Sequence, residues 1–311
     1  MPNVELPRRA AEAILRRVAP SATLAELVVR TGGELSGVWE LRADRGEPVI
    51  VKVYPELWRW GQDKEVHVYR TLAAHGVGPT PEVLLVEPPG GLLDHAFTVM
   101  TALPGLPLSE VDPLLDAAAN RRLYRRLGEV LAAVHGIGQA AFGYLTTEVE
   151  EPESTNTAYM TRQFDRKLAE FDDLGGDRAL RDTVERHVAE RVPLFGGCAA
   201  PVLCHNDFHD GNVLVVEGAN GWEVTGFVDV ENAIAGDPLS DVAKTDYYSI
   251  RGDHAKLAGL LEGYGPLPDD WRDRVALYAL HHALELWGFH ASSGDTRFLA
   301  DLADDVRRLA R

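Results

Sequence analysis

The stretch Cys204-His205-Asn206-Asp207-Phe208-His209-Asp210-Gly211-Asn212, running straight into the apolar residues Val213 to Val216, constrains this chain most. Asp, Asn and Gly favour turns and the β-branched residues after them favour strand, so a carboxylate and a carboxamide must share one tight loop. After turn residues Gly218, Asn220 and Gly221, a second strand, Trp222 to Val228, runs back and delivers Asp229 towards the loop. His-x-Asp-x-x-x-x-Asn suits phosphoryl transfer: the Asp accepts or orients an attacking hydroxyl, and the Asn holds a Mg²⁺ that bridges phosphates. A second metal-binding carboxylate is then needed, and Asp229 supplies it. Two other readings use the same letters. Asp and Asn also bond their own backbone, which makes a capped loop without chemistry. The alternation His205, Asp207, His209 suits a metal-dependent hydrolase, although no further His-x-His or His-x-x-x-His accompanies it.

The segments LCHNDFHDGNVLV and VTGFVDVENAIAGDPLSDVA are similar to the two signature segments of the aminoglycoside phosphotransferase family, small-molecule kinases that share the protein-kinase fold. The resemblance covers almost the whole chain, specific from Pro201 to Ala243 and looser elsewhere. It implies an α+β, bilobal protein-kinase-like fold, with a β-rich N-terminal lobe, a mostly α C-terminal lobe and a nucleotide in the cleft between them. It implies Asp207 as catalytic base or hydroxyl-positioning group, His205 as a brace for the loop, and Asn212 and Asp229 as Mg²⁺ ligands. Asp237-Pro238-x-x-Asp241 resembles the family's acidic segment. Asp237 before Pro238 is a natural helix N-cap, and Asp241 is expected to anchor the loop by hydrogen bonds.

Upstream, Pro48 to Tyr54 is a β-branched strand with Lys52 in its middle, at the position whose ammonium contacts the nucleotide phosphates in kinase-like folds. A solvent-facing Lys on a half-buried strand is the alternative. The helical stretch Asp63 to Ala74 puts Val66, Tyr69, Leu72 and Ala73 on one face and Glu65 where it can pair with Lys52. Glu in a first turn is also favoured by the helix dipole. Thr31 to Gly37 lies between two strands and is expected to form a glycine-bearing hairpin over the phosphates, with Gly33 and Ser36 as contacts. It is not the Gly-x-Gly-x-x-Gly of protein kinases, and the absence of Gly-x-x-x-x-Gly-Lys-Ser/Thr argues against a P-loop kinase. Ala96 to Met100 reads as a strand running into Thr101 to Gly105, similar to the family's hinge, where backbone groups of Thr101 and Leu103 would bind the purine edge.

Turn punctuation and periodicity divide the chain into a nucleotide-binding lobe (1–100), a hinge (101–107) and a catalytic and acceptor-binding lobe (108–311). Helices are expected near Leu6 to Val18, Ala117 to His135, Ala158 to Phe171, Arg178 to Arg191, Asp237 to Tyr247, His254 to Leu261, Asp270 to Phe289 and Thr296 to Leu309. The acidic run Glu148 to Glu153 reads as a solvated loop. Cys198 and Cys204 are too few for a disulfide framework, so both are expected reduced and structural. No apolar run approaches the roughly 18–20 residues of a membrane span, and Met1 to Arg9 leads into no signal-peptide core, so a cytoplasmic enzyme is expected. Lys plus Arg number 31 against 48 Asp plus Glu, a formal charge of -17 that disfavours nucleic acid and anionic membrane as partners. It favours a cationic partner, while a merely solubilising acidic surface gives the same balance.

These features imply an O-phosphotransferase that uses Mg²⁺ and ATP or GTP and acts on a hydroxyl of a small, cationic molecule. An aminoglycoside or related amino-sugar antibiotic fits, with antibiotic resistance as the role. His209, Glu231 and Glu285 are candidate acceptor contacts. His209 stands where many protein kinases carry a Lys that contacts the transferred phosphate, and a neutral His supplies less charge. Trp287 and His290, near Glu285, are placed to line the acceptor pocket, while spacing equally makes Trp287 a core residue, the favoured reading. A housekeeping kinase for choline, ethanolamine or a fructosamine would use identical chemistry, and the hydrolase built on His205, Asp207 and His209 stays open at this point.

Overall fold

The computed structural model describes residues 5–30 and 36–311. In chain order its elements are α1 (Arg8–Val18), β1 (Leu24–Arg30), β2 (Gly37–Ala43), β3 (Val49–Tyr54), α2 (Arg59–Ala74), β4 (Val83–Glu87), β5 (Ala96–Thr101), β6 (Leu106–Pro107), α3 (Leu108–Val111) and α4 (Ala117–His135). Then follow β7 (Phe142–Leu145), β8 (Val149–Glu153), α5 (Asn156–Asp173), α6 (Arg178–Phe195), β9 (Val202–Cys204), β10 (Val213–Gly218), β11 (Gly221–Phe227) and β12 (Ile234–Gly236). The chain ends with α7 (Pro238–Thr245), α8 (His254–Tyr264), α9 (Trp271–Ser293) and α10 (Leu299–Leu309). Two compact units result. The first extends to Pro107 and takes in Thr146–Glu148 and Val213–Glu231; the second holds Leu108–Leu145, Val149–Asn212 and Asn232–Arg311. The β10–β11 hairpin therefore belongs with the first unit, although it follows the His205–Asn212 loop in sequence.

In the first unit, five antiparallel strands lie in the order β1-β2-β3-β5-β4. The two-residue period of a strand sends Val49, Val51 and Val53 to one face, where they pack with Trp39, Leu41, Phe97 and Val99 against Ala11, Ile14 and Leu15 of α1. Each fully buried Ile, Leu or Val contributes roughly 1.5–3 kcal/mol there. The same period sends Lys52 and Tyr54 to the opposite face, towards α2. Gly37 is required for this core: a Cβ at that position would meet the Trp39 ring at 2.1 Å. Helix α2 starts at Arg59, one turn ahead of the expected Asp63, so Glu65 sits in its second turn and the dipole at the helix start does not account for it. A second sheet, β11-β10-β6, completes the unit.

The second unit contains the sheet β8-β7-β12-β9 and helices α3 to α10. Helices α4 and α8 cross at close range because glycines face backbone. A Cβ on Gly259 would lie 2.3 Å from the Arg121 carbonyl oxygen, and one on Gly263 only 1.8 Å from that of Arg125. The acidic run expected as a loop is instead strand β8, paired with β7 through Tyr144–Glu150 and Phe142–Glu153. Its carboxylates do not repel it from the sheet because α5 supplies partners: Arg166 lies 2.6 Å from Glu151 and Arg162 lies 2.8 Å from Glu153. The helix expected from Asp237 to Tyr247 ends at Thr245 and continues as a π-turn over Asp246–Ile250. Among the described residues no helix is long and apolar enough to cross a membrane.

Candidate active site

In the first unit, Lys52 is buried at the centre of an acidic cluster. Its Nζ stands 3.2 Å from Glu65 Oε1, 3.4 Å from Asp229 Oδ1 and 2.7 Å from Glu231 Oε2. The Tyr54 hydroxyl donates to the other Glu65 oxygen. Helix α2 contributes twice, because the Tyr69 hydroxyl, one turn beyond Glu65, accepts the Asp229 backbone N–H at 3.1 Å. Asp229 has φ 66°, a left-handed conformation that costs about 1 kcal/mol or more in a non-glycine residue, and this bond helps to hold it. Burial opposes the charge on Lys52, yet Glu65, Asp229 and Glu231 raise its pKa well above the ordinary value. Glu65 is raised too, by burial first and by the like charges of Asp229 and Glu231, against the pull of Lys52. One ammonium faces three carboxylates here. Hard, negative oxygens of this kind are donor chemistry that a divalent cation such as Mg²⁺ takes.

The expected Lys52–Glu65 pair is thus in place, while Glu231, set beside the acceptor on sequence grounds, is the third acid on Lys52. Tyr69 was legible only as an apolar-face residue; a buried phenol oxygen needs a partner, which is the hint that was available. Ser36 is buried next to the start of β2, and Gly33 lies outside the described residues. The Thr101 backbone N–H donates to the Glu82 carbonyl at 3.0 Å and its hydroxyl accepts the Glu82 N–H at 2.9 Å, so its amide is committed to the sheet edge and the expected purine contact narrows to its carbonyl. Ala102 N–H is likewise bound, to the Pro48 carbonyl. Leu103 is the next position along.

In the second unit, strand β9 ends at Cys204 and the loop turns on Asp241, a fully buried residue of α7. Its carboxylate accepts the His205 N–H at 2.7 Å and the Asn206 N–H at 2.6 Å, and meets His135 Nε2 at 3.0 Å. Burial pushes the Asp241 pKa up, but the His135 bond, His205 and the Asn206 amide more than offset this and hold it below the ordinary value. Asn206 has φ 61°, so the anchored peptide is also a bent one. Asp237 has a parallel role a turn earlier: it caps α7 by accepting the Leu239 N–H at 3.0 Å and takes Arg274 and the Tyr278 hydroxyl.

Asp207 sits within this frame. The Asn212 amide donates to the Asp207 carbonyl at 2.9 Å and to its Oδ2 at 3.3 Å, and Asn232 Nδ2 reaches the same oxygen at 3.4 Å. Because Asn212 gives its NH₂ to Asp207, its carbonyl oxygen is the atom left for a cation. His205 is buried and its Nδ1 accepts the Asp207 N–H at 3.3 Å. His209 Nδ1 accepts the Gly211 N–H at 3.0 Å while its ring stacks on Tyr248 at 5.7 Å. Both histidines therefore use a ring nitrogen on the loop backbone. With Asp207 they are not among the clusters of the described residues whose ligand atoms converge as a metal site needs.

Glu285 on α9 is 2.8 Å from His282 Nδ1 and 3.8 Å from Lys244 Nζ. Burial raises its pKa, but His281, Lys244 and His282 together hold it well below the ordinary value. Trp287 is buried against Phe171, ring centroids 4.2 Å apart, as its spacing implied. The sequence reading missed Lys244. Only five lysines stand beside 26 arginines, and Lys52, Lys64, Lys244 and Lys256 are all buried. Lysine is almost never fully buried unless paired, so its scarcity here was a usable sign. Cys198 and Cys204 are both free thiols, and burial pushes Cys198 up to about 12.

Known structures share this architecture at low identity. A thermostable mutant of aminoglycoside phosphotransferase APH(4)-Ia, in ternary complex with ADP and hygromycin B, superposes with a TM-score of 0.72 at 19% identity, covering 96% of this chain and 97% of that one. The GDP and kanamycin complex of APH(2")-IIia gives 0.71 at 13% identity over 96% and 97%. These likenesses show the fold, and the expected fold class holds: protein-kinase-like, with antiparallel sheets in the N-terminal part and helices in the C-terminal part. Residues 26–278 match the model of the phosphotransferase enzyme family. The match takes in Lys52, Glu65, the Asp241-anchored loop and Asp229 alike, and on it the chain belongs to that family, as a kinase-type phosphotransferase with an alcohol group as acceptor.

Proposed function

We propose that this enzyme transfers the terminal phosphoryl group of a Mg-nucleotide, ATP or GTP, to a hydroxyl of a small polyhydroxylated amine, with aminoglycosides and related amino sugars as the first class of acceptor. The observation that carries this reading is Asp207, fixed by Asn212 and Asn232 on a loop that Asp241 anchors. Such a carboxylate accepts a hydrogen bond from an acceptor hydroxyl and aims its oxygen at phosphorus. Carboxylates are weak bases at neutral pH, so positioning and charge neutralisation contribute more than proton abstraction. Lys52, oriented by Glu65, supplies the ammonium for nucleotide phosphates, and Leu103 offers a backbone amide for the base. Asn212 in the second unit presents a hard oxygen of the kind Mg²⁺ takes, and so, in the first unit by itself, do Asp229 and Glu231; Mg²⁺ would supply neutralisation of phosphate charge.

The charge distribution supports a cationic acceptor. Residues 108–311 carry 35 Asp and Glu against 20 Lys and Arg, whereas residues 1–107 carry 13 against 11. The β8 acids contribute less to this than their number suggests, because Glu151 and Glu153 face Arg166 and Arg162. Attraction between exposed charges is screened over about 8 Å at physiological salt. The acceptor KM should therefore rise with ionic strength while that of Mg-nucleotide moves less. A nucleotide-coupled screen of kanamycin, hygromycin B, amino alcohols, fructosamines and neutral sugars tests the class. A neutral sugar as best acceptor, or an acceptor KM indifferent to salt, would contradict the cationic class and leave phosphoryl transfer standing.

A further inference from the structure

Phosphoryl transfer spreads negative charge over three equatorial oxygens, and a fixed cation aimed at that charge lowers the barrier. The loop from His205 to Asn212 contains neither Lys nor Arg. In the second unit an ammonium reaches Asp207 from α7 instead. Lys244 is buried, with its Nζ 3.6 Å from Asp207 Oδ1, 3.8 Å from Glu285 Oε2 and 4.7 Å above the Tyr248 ring. Both carboxylates stand just beyond direct hydrogen-bond length. An oxygen about 2.8 Å from each of Nζ and Oδ1 fits a gap of that size, so one substrate oxygen can touch both. Glu285 is itself fixed at 2.8 Å by His282 Nδ1 and gives the ammonium a second carboxylate neighbour. Burying an ammonium carries a desolvation cost that a Leu or Met at this position would avoid. Burial opposes its charge, yet Glu285, Tyr248 and Asp207 keep Lys244 protonated, with a pKa above the ordinary value.

We propose that Lys244 is a further catalytic residue, its ammonium contacting the acceptor oxygen and the incoming phosphoryl group beside Asp207, with Glu285 as its positioning residue. The role rests on the phosphotransferase reading of Asp207. In the step, the acceptor O–H passes its proton to Asp207 and the acceptor oxygen forms a bond to phosphorus. The bond from phosphorus to the bridging oxygen breaks, and its electron pair leaves with the nucleoside diphosphate. Lys244 stays protonated throughout.

The test uses the full chain with MgATP as donor and kanamycin, or water where kanamycin is not phosphorylated, as acceptor. Lys244→Met should lower kcat by about 10²-fold, the scale for loss of one donor to a developing charge, with both KM values within a few-fold of wild type. Lys244→Gly should regain activity with added ethylammonium, a rescue that a merely structural lysine does not show. Should Lys244→Met fail to fold, Lys244→Arg carries the test: retained transfer supports the role, and a loss as deep as that of Asp207→Ala overturns it. Transfer by Lys244→Met within about threefold of wild type, or no rescue of Lys244→Gly, also overturns it while leaving the phosphotransferase reading intact. A wild-type chain that transfers phosphate to neither of these nor to any member of the wider acceptor panel overturns both.

Discussion

Single residues in this chain act chiefly by holding other residues still. Asp241 contacts no candidate substrate atom, yet its carboxylate closes two backbone amides and His135 around the start of the Asp207 loop. Asp241→Asn should cost about 3 kcal/mol or more, because it leaves donors inside the unit without their charged acceptor. Transfer should fall further than the loss of folded protein explains, measured as kcat per folded molecule after correction by a urea melt. An Asp241→Asn enzyme with wild-type kcat would show that the loop keeps its shape without this anchor. Lys52 and Glu65 were readable in advance because strand and helix periods place them on facing surfaces. Tyr69, Glu231 and Lys244 were not, because each acts through a contact that local spacing does not encode: a backbone amide in a distant strand end, an ammonium, a carboxylate on another element.

At the scale of elements, periodicity located the long helices well, and α4 has the expected bounds. It failed where tertiary partners override composition. Glu148 to Glu153 looked too acidic for a strand, and β8 exists because Arg162 and Arg166 on α5 neutralise it. Likewise, the Thr101 amide is claimed by a sheet neighbour, Glu82, a pairing that local spacing does not announce. The α4–α8 crossing is a further contact that no single helix announces. Gly259→Ala would place a methyl group 2.3 Å from the Arg121 carbonyl oxygen and must separate the helices. Overpacking of this kind costs typically 1–3 kcal/mol, visible as a lower thermal midpoint. Alanine at an exposed, non-contacting helical glycine would instead stabilise, so an unchanged or raised midpoint would contradict the close crossing.

For the molecule as a whole, acid should be more damaging than base. Burial first, and the charges of His282, Lys167 and Lys244, lower the His281 pKa to about 4 against the pull of Glu285. A group whose folded pKa lies below its unfolded value contributes fully above the unfolded pKa, here about 6.5, and its contribution is lost as pH falls towards 4. Glu285 and Asp241 are depressed carboxylates, so their contributions fade in the same direction at lower pH. Urea stability should decline from pH 7 to pH 4.5 with a slope approaching about 1.4 kcal/mol per unit from His281 alone. His281→Leu should flatten the upper range of that decline, and equal slopes for mutant and wild type would place the titration elsewhere. The kinase-like architecture was visible in two sequence segments, whereas the grouping of β10–β11 with the first unit depends on packing that sequence order conceals.

Alignment of an acceptor hydroxyl by Asp207 is read out in the phosphorylated product itself. Wild-type enzyme and Asp207→Ala would be incubated with labelled Mg-nucleotide and the acceptor panel, and transfer followed by mass spectrometry and rate. The wild type should form a phosphate ester on a hydroxyl. Asp207→Ala should do so at a rate lower by about 10² or more, with nucleotide affinity unchanged within a few-fold. An Asp207→Ala enzyme that forms the same ester at a comparable rate would contradict that alignment.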